Sequence, residues 1–297
     1  MNRGVKLVLA TAIISGFAIF LNSFGVKGID SSIFTFSKNI LVAIFLLSTI
    51  FFLKQFKELK SLTKKSWLKL ALIGLIGGSI PFLLFFKGLQ LATGPTSAFI
   101  HKTLFIYATI LAFIFLKEKL NWKITIPTIL LLIGNYFLLK INAFNFGKGE
   151  LLILIATLFW ATENILSKHT LKELSGNLVA FGRMAFGSLF ILIFLITTNK
   201  TPLLLSLQFN QILWTLATSI LLLLFVTTYY NGLKTIKVTT ATSILLLGSP
   251  ITLLLNLLLL GKAITILQVT GMLLTTTGVL FIIYFFEKST QETISTA

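Results

Sequence analysis

The chain has 297 residues, of which 56% are hydrophobic and only 11% charged, with a formal net charge of +17 at pH 7. A soluble domain is about one quarter charged, and a water-facing fold could not cover so many apolar runs with few or no charges, such as Leu41 to Leu53, Phe99 to Leu116 and Leu245 to Leu260. A soluble protein is therefore excluded in favour of an all-α polytopic membrane protein, and the absence of cysteine excludes a disulfide framework, a thiolate nucleophile and a cysteine-based metal site.

A spanning helix needs about 20 mostly apolar residues. Windows of that kind predict ten transmembrane helices, over roughly 5–24, 32–53, 68–91, 96–116, 123–141, 150–167, 178–198, 211–232, 239–260 and 264–286. The first follows Arg3 and Lys6 with no small-residue cleavage site behind it, so it is expected to remain as an uncleaved span. Turn residues mark the joints, as in Thr93-Gly94-Pro95-Thr96 and Asn199-Lys200-Thr201-Pro202, and no joint is long enough for a soluble domain.

Lysine and arginine stay on the cytoplasmic side during insertion. Segments on the N-terminal side of the membrane hold sixteen of them, whereas the opposite loops hold five, Lys27, Lys140, Lys148, Lys200 and Lys262. The expectation is a multi-pass protein of the cell (plasma) membrane with both termini cytoplasmic. The net positive charge is then mostly an orientation signal and not a nucleic-acid footprint.

The chain also repeats itself. A slide of 144 residues sets Gly88-Leu89 on Gly232-Leu233, Thr96 on Thr240, Ile100 on Ile244 and Gly134 on Gly278. A slide of 145 sets Phe36-Ser37-Lys38 on Phe181-Gly182-Arg183. Five helices per half is an odd number, so the halves must be inverted relative to each other, and lysine bias should follow the side of the membrane. It does: the 54–69 loop is lysine-rich while its mate at 199–210 holds only Lys200. The predicted units are a first repeat over 1–145 (helices one to five) and a second over 146–297 (helices six to ten).

With these elements in place the chain resembles the EamA-domain, ten-helix branch of the drug/metabolite transporter superfamily across about residues 5–286. The resemblance is carried by the basic residue in the second helix of each repeat (Lys38 and Arg183), by Phe159-Trp160-Ala161 in the opening helix of the second, and by the Gly-Leu step closing each third helix. Ser249-Pro250 in helix nine and Leu116-Lys117-Glu118-Lys119-Leu120 at the end of helix four add to it. Departures are Lys262 at the Glu118 position, Ile106 at the Pro250 position and Phe17 as the rough mate of Trp160. The resemblance implies a secondary carrier that moves a small metabolite by alternating access, its path lined by helices one, three and four of each repeat.

Ionisable residues inside the membrane are costly, at about 2.5 to 3.5 kcal/mol each on insertion scales, and mark function by default. The spans contain Lys38, Lys87, His101, Lys102, Glu163 and Arg183. Lys87 sits about 6 Å from a helix end, where snorkelling explains it as well as a role in the path. Lys38 and Arg183 lie deeper, which favours a path or gate role over an interhelical bond. His101 and Lys102 are adjacent and point about 100° apart, so one can face a cavity while the other packs. Glu163 is the acid among the spans, placed near the midplane about 20 Å in; it reads either as an interhelical bond or as a proton-accepting or cation-binding group, with Asn164 beside it sharing the task.

Trp160 and Tyr229 complete the candidate substrate-binding and gating set, although the run from Thr227 to Asn231 also suits an interfacial aromatic belt. Gly74, Gly78, Gly182 and Gly187 read as close-packing positions, and Asn256 and Gln268 as interhelical hydrogen bonds. No nucleotide-binding G-x-x-x-x-G-K-[ST] stretch, H-E-x-x-H or G-x-S-x-G occurs, so no enzyme activity, cofactor or metal is expected. Excess positive charge in the spans favours an anionic or amphoteric cargo such as an amino acid. The expected partners are a small-molecule substrate, the lipid bilayer and a coupling proton or ion, with a homodimer open and nucleic acid excluded. Translocation of a lipid or lipid-linked sugar, and a non-transporting membrane scaffold, are the alternatives.

Overall fold

The computed structural model describes residues 1–92, 94–118, 122–140 and 146–295. Thr93, Lys119, Leu120 and the repeat boundary at 145 lie outside the described residues. Among those described, nine helices are long and apolar enough to span a membrane: α1 Arg3–Gly25, α2 Ser31–Phe52, α3 Lys64–Leu91, α4 Thr96–Leu116, α6 Lys148–Thr170, α7 Gly176–Thr197, α8 Phe209–Leu233, α9 Val238–Leu260 and α10 Ile266–Ser289. A shorter apolar helix, α5 Thr125–Leu138, completes ten. No strand occurs among the described residues.

Side-chain caps start several of these helices, because the first N–H groups of a helix have no partner within it. Asn2 accepts from Gly4 N at 2.8 Å, Asp30 from Ser32 N at 2.9 Å, Thr63 from Ser66 N at 3.1 Å and Ser175 from Leu178 N at 3.4 Å. Asn2 N in turn donates to Glu287 Oε1 at 2.8 Å, which places the two ends of the helical bundle on one face, called the termini face here.

Backbone geometry records the inverted repeat more sharply than sequence identity does. The chain turns through left-handed residues just after the second helix of each repeat, at Lys54 (φ 57°) and Asn199 (φ 54°), and after the fourth, at Lys117 (φ 55°) and Gly261 (φ 64°). The closing bonds match as well: Gln55 N to Ile50 O at 2.9 Å mirrors Lys200 N to Leu195 O at 2.8 Å, and Glu118 N to Ala112 O mirrors Lys262 N to Asn256 O, both 3.2 Å.

Three spans predicted to be continuous are not. α4 breaks at Thr103, between helices Gly94–Lys102 and Leu104–Leu116, and its mate α9 breaks at the 3-10 turn Leu245–Leu247. α3 carries a π-helical turn over Gly74–Ser79. Asn256 also departs from expectation: its amide donates to Thr252 O at 2.8 Å within α9, whereas Gln268 does cross to Leu138 O at 3.3 Å.

The repeats interlock. α1 packs on α8 and α9, α3 on α6, α2 on α7, α4 on α6 and α5 on α10, so the main interfaces join one half to the other. Lipid offers no hydrophobic drive for helix association, and small residues let backbones approach. A Cβ on Gly88 would lie 2.8 Å from Gly149 O, and one on Gly232 would lie 3.0 Å from Gly4 O, the same contact in the two halves. Large apolar side chains such as Phe115, Leu258 and Leu273 stand exposed around the rim, as a lipid-facing surface requires.

Polar ties also join the halves at each face. On the termini face, Lys69 Nζ pairs with Glu173 at 2.7 Å, Ser175 N donates to Glu58 Oε1 at 2.6 Å and Asn177 Nδ2 to Gln55 Oε1 at 3.1 Å. On the far face, Lys200 Nζ lies 2.7 Å from Asp30 Oδ2 and Gln211 Nε2 donates to Gly28 O at 3.0 Å. Asp30 and Ser175 occupy equivalent N-cap positions, each tied to the residues just after the second helix of the other repeat.

Two outcomes test this packing. A Cβ on Gly78 would meet Arg183 O at 2.5 Å and Gly187 Cα at 2.9 Å, so Gly78→Ala should lower stability by about 1 to 3 kcal/mol, read as a lower melting temperature in detergent, while Ser48→Ala on the exposed face should not. Burial pushes the Asp30 carboxyl up, but hydrogen bonds from Lys200 and Ser32 outweigh it and hold the group below its ordinary value. The folded value is thus the lower one, so the stabilisation is complete above the unfolded value of about 3.9 and fades as pH falls through the folded value. Wild type and Asp30→Asn should differ in melting temperature at pH 7 and converge in acid.

Candidate functional site

Pro81 has no N–H to give the carbonyl four residues before it. That carbonyl belongs to Gly77, within the π-helical turn where Ile80 N reaches back to Leu75 O. In hydrocarbon an unpaired backbone oxygen costs several kcal/mol, and here side chains from two other helices supply the missing donors. Trp160 Nε1 on α6 and Arg183 Nη2 on α7 both donate to Gly77 O at 3.1 Å. The next carbonyl, Gly78 O, accepts from Asn39 Nδ2 on α2 at 3.0 Å.

Glycine is needed at 77 because the space beside its Cα is taken. A Cβ there would stand 2.3 Å from Glu163 Cγ and 3.2 Å from Arg183 Nε. The buried acid and the buried guanidinium therefore flank the same backbone atom without forming a direct ion pair. Glu163, 2% exposed, accepts through Oε1 from Tyr230 OH at 2.6 Å and from Ser167 Oγ at 2.5 Å. Tyr229 OH donates to Asn164 Oδ1, and Asn164 Nδ2 donates to Trp160 O at 2.8 Å. Two consecutive tyrosines of α8 thus hold two consecutive polar residues of α6.

An aromatic wall covers this cluster. The Trp160 ring lies 4.9 Å from His101, 5.2 Å from Phe82 and 5.4 Å from Phe85, and His101 lies 5.1 Å from Phe85. Two buried polar atoms here have no protein partner, Arg183 Nε and His101 Nδ1. Buried polar groups are almost always paired, so the site holds spare hydrogen-bonding capacity beside a carboxylate.

Of the sequence-predicted residues, Trp160, Glu163, Asn164, Arg183 and Tyr229 come together in one hydrogen-bonded network, and His101 abuts it through the tryptophan. Lys38, Lys87 and Lys102 lie outside the network. Lys38 Nζ bonds Asn22 Oδ1 at 2.8 Å and sits 4.9 Å above the Phe34 ring. Lys87 is exposed and lines a cavity at the far face. Along α6, Glu163 lies seven residues, about 10 Å, from the Thr170 end, on the side of the termini face. Arg183 lies equally far from the start of α7 at Gly176. The sequence reading reached Tyr230 only within the run from Thr227 to Asn231, as a gate or an aromatic belt, and missed Ser167 and the Gly77 carbonyl; the signal for the last was a proline inside an apolar helix, following Gly77-Gly78.

Comparison with known proteins agrees with the fold. The pattern of the EamA-like transporter family matches residues 2–140 and 147–284. An uncharacterized transporter of Synechocystis sp. is 26% identical over 144 residues, covering 45% of this chain and 41% of that protein, so the match spans less than half the relative's length. A solved crystal structure superposes with a TM-score of 0.81 at 15% identity, over 97% of this chain and 99% of that one, which shows a shared fold.

The network predicts its own fragility. Tyr230→Phe removes one of the two hydroxyl donors to a buried carboxylate, and a bond to a charged group contributes about 1.5 to 3 kcal/mol. The variant should unfold at a lower temperature than wild type, and Tyr284→Phe on the exposed face of α10 should not.

Proposed function

The chain belongs to the EamA-like transporter family, and on that premise we propose that it is a secondary carrier moving a small anionic or amphoteric metabolite, such as an amino acid, by alternating access. The observation that carries this reading is the pairing of a buried carboxylate, Glu163, with a buried guanidinium whose Nε has no partner, on either side of the Gly77 carbonyl. Such a site is complementary to a ligand with one carboxylate and one ammonium group. Arg183 Nε takes the carboxylate; Glu163 takes the amine or a coupling proton.

The other residues have supporting tasks. Trp160 and His101 wall the site and exclude water, which strengthens each charge contact. Tyr229 and Asn164 gate it from the termini face. Lys38 and Lys102 bias the path towards negative cargo, and Lys87 does so at its mouth. Breaks at equivalent places in α4 and α9 suit a carrier, because discontinuous helices in corresponding positions of two inverted halves mark the point about which the halves rock. The units of that motion are residues 1–145 and 146–297. Lysine bias supports a termini face turned to the cytoplasm, and the reading takes the membrane to be the plasma membrane.

Transport into proteoliposomes tests the assignment. Radiolabelled amino acids should accumulate under an imposed pH gradient with the wild type. Glu163→Gln should abolish accumulation without lowering folded yield, and Arg183→Gln should also remove the thermal stabilisation that carboxylate ligands confer. Normal accumulation by Glu163→Gln would remove the coupling role.

A further inference from the structure

A cavity lies at the far face between α2, α3 and the end of α7. It has a volume of about 100 Å³ and gathers Asp30, Phe82, Phe86, Lys87, Gln90 and Lys200 among its walls. Pockets that enclose a whole ligand are about 300 to 1,000 Å³, so this one has room for a charged headgroup and little more.

Its charges do not balance. Lys200 is paired with Asp30, but Lys87 has no hydrogen-bond or ion-pair partner among the described residues, leaving one ammonium uncompensated. The existing pair is also built to exchange. Asp30 meets Lys200 through Oδ2, while its Oδ1 accepts from Ser32 N at 2.9 Å, Ser32 Oγ and Ile33 N at 3.4 Å as the N-cap of α2. If Lys200 leaves, the Asp30 carboxylate keeps those donors and the favourable end of the helix dipole. Lys200, 37% exposed on a flexible stem, keeps nothing equivalent.

We propose that this cavity is a recruiting site for organic carboxylates, at which the ligand's carboxylate bridges Lys87 and Lys200 and displaces Asp30 from Lys200. Phe82 and Phe86 form an apolar floor, so the ligand class is a carboxylate with an apolar or aromatic tail. Phe82 also touches Trp160, with ring centres 5.2 Å apart, so the floor of the cavity is the roof of the buried site. The displaced contact joins the first repeat to the second, so ligand arrival unties the far face as it delivers a carboxylate towards Arg183. That purpose rests on the carrier reading; the binding chemistry does not.

Phenylacetate is the probe, with 2-phenylethanol as its uncharged counterpart, titrated calorimetrically into the purified chain in nanodiscs. Phenylacetate should bind and phenylethanol should not. Lys87→Gln and Lys200→Gln should each weaken binding about tenfold. Asp30→Asn should strengthen it severalfold, because asparagine still caps α2 but no longer competes for Lys200. A merely structural ion pair would give Asp30→Asn and Lys200→Gln the same sign, and that result overturns the proposal. Reductive methylation read by mass spectrometry supplies a second measurement on the unaltered chain: phenylacetate should protect Lys87 and Lys200, and protection of neither overturns it. Protection that persists when no amino acid or organic acid is transported would sink the carrier reading alone, and transport without protection would sink this site alone.

Discussion

The arrangement of the membrane core depends on one backbone oxygen. Pro81 deprives Gly77 O of its helical donor in a medium that supplies none, and the fold answers with donors from α6 and α7. Much of the site follows from this. Arg183 is drawn down onto α3 and Trp160 is fixed in orientation by its indole N–H. Glu163 comes close because residue 77 has no side chain, and Tyr230 and Ser167 then satisfy the acid that the approach has buried. A helix defect, which elsewhere only costs stability, is here the point at which three helices are joined.

The frame of the molecule is symmetric and its chemistry is not. Left-handed residues, helix breaks, glycine contacts and inter-repeat ties recur in both halves, and Lys38 mirrors Arg183 at the opposite face. Yet Lys38 is satisfied by Asn22 on the neighbouring helix, and the positions of α8 that correspond to Gly77 and Pro81 are Leu221 and Phe225. No free carbonyl is generated there, so no acid and base are gathered around one. If the symmetric frame rocks as proposed, this asymmetric site would be exposed by different routes on the two sides.

Much of the frame was legible in the sequence, because its causes are local. Apolar windows fix spans, lysine distribution fixes which loops share a side, and an odd number of helices per half fixes inversion. Half of the site was legible for a related reason: an ionisable residue inside a span is so costly that Glu163 and Arg183 had to matter. Their meeting was not legible, since it depends on a backbone oxygen, and hydropathy carries no signal for a carbonyl. The bond from Tyr230 to the acid was not legible, as adjacent helical residues differ by a rotation that only packing can resolve. The surroundings of the lysines were not legible either, because charge alone does not distinguish a cation held by a neighbouring helix, like Lys38, from one that lines a cavity, like Lys87.

The absence of an ion pair between Glu163 and Arg183 is what gives the site its capacity. A direct buried pair would satisfy both groups, and breaking it to admit a ligand would leave two uncompensated charges. Instead each group is tethered by something that a ligand has no need to displace. The guanidinium is held through Nη2 by a carbonyl and the carboxylate through Oε1 by two hydroxyls, with the rest of each left for other partners. The two charges still attract across a low-dielectric gap, which offsets part of the cost of their desolvation. On the proposed reading, a ligand bearing both signs would substitute for that attraction on each side at once. Binding on that reading exchanges one balanced arrangement for another and leaves neither buried charge uncompensated.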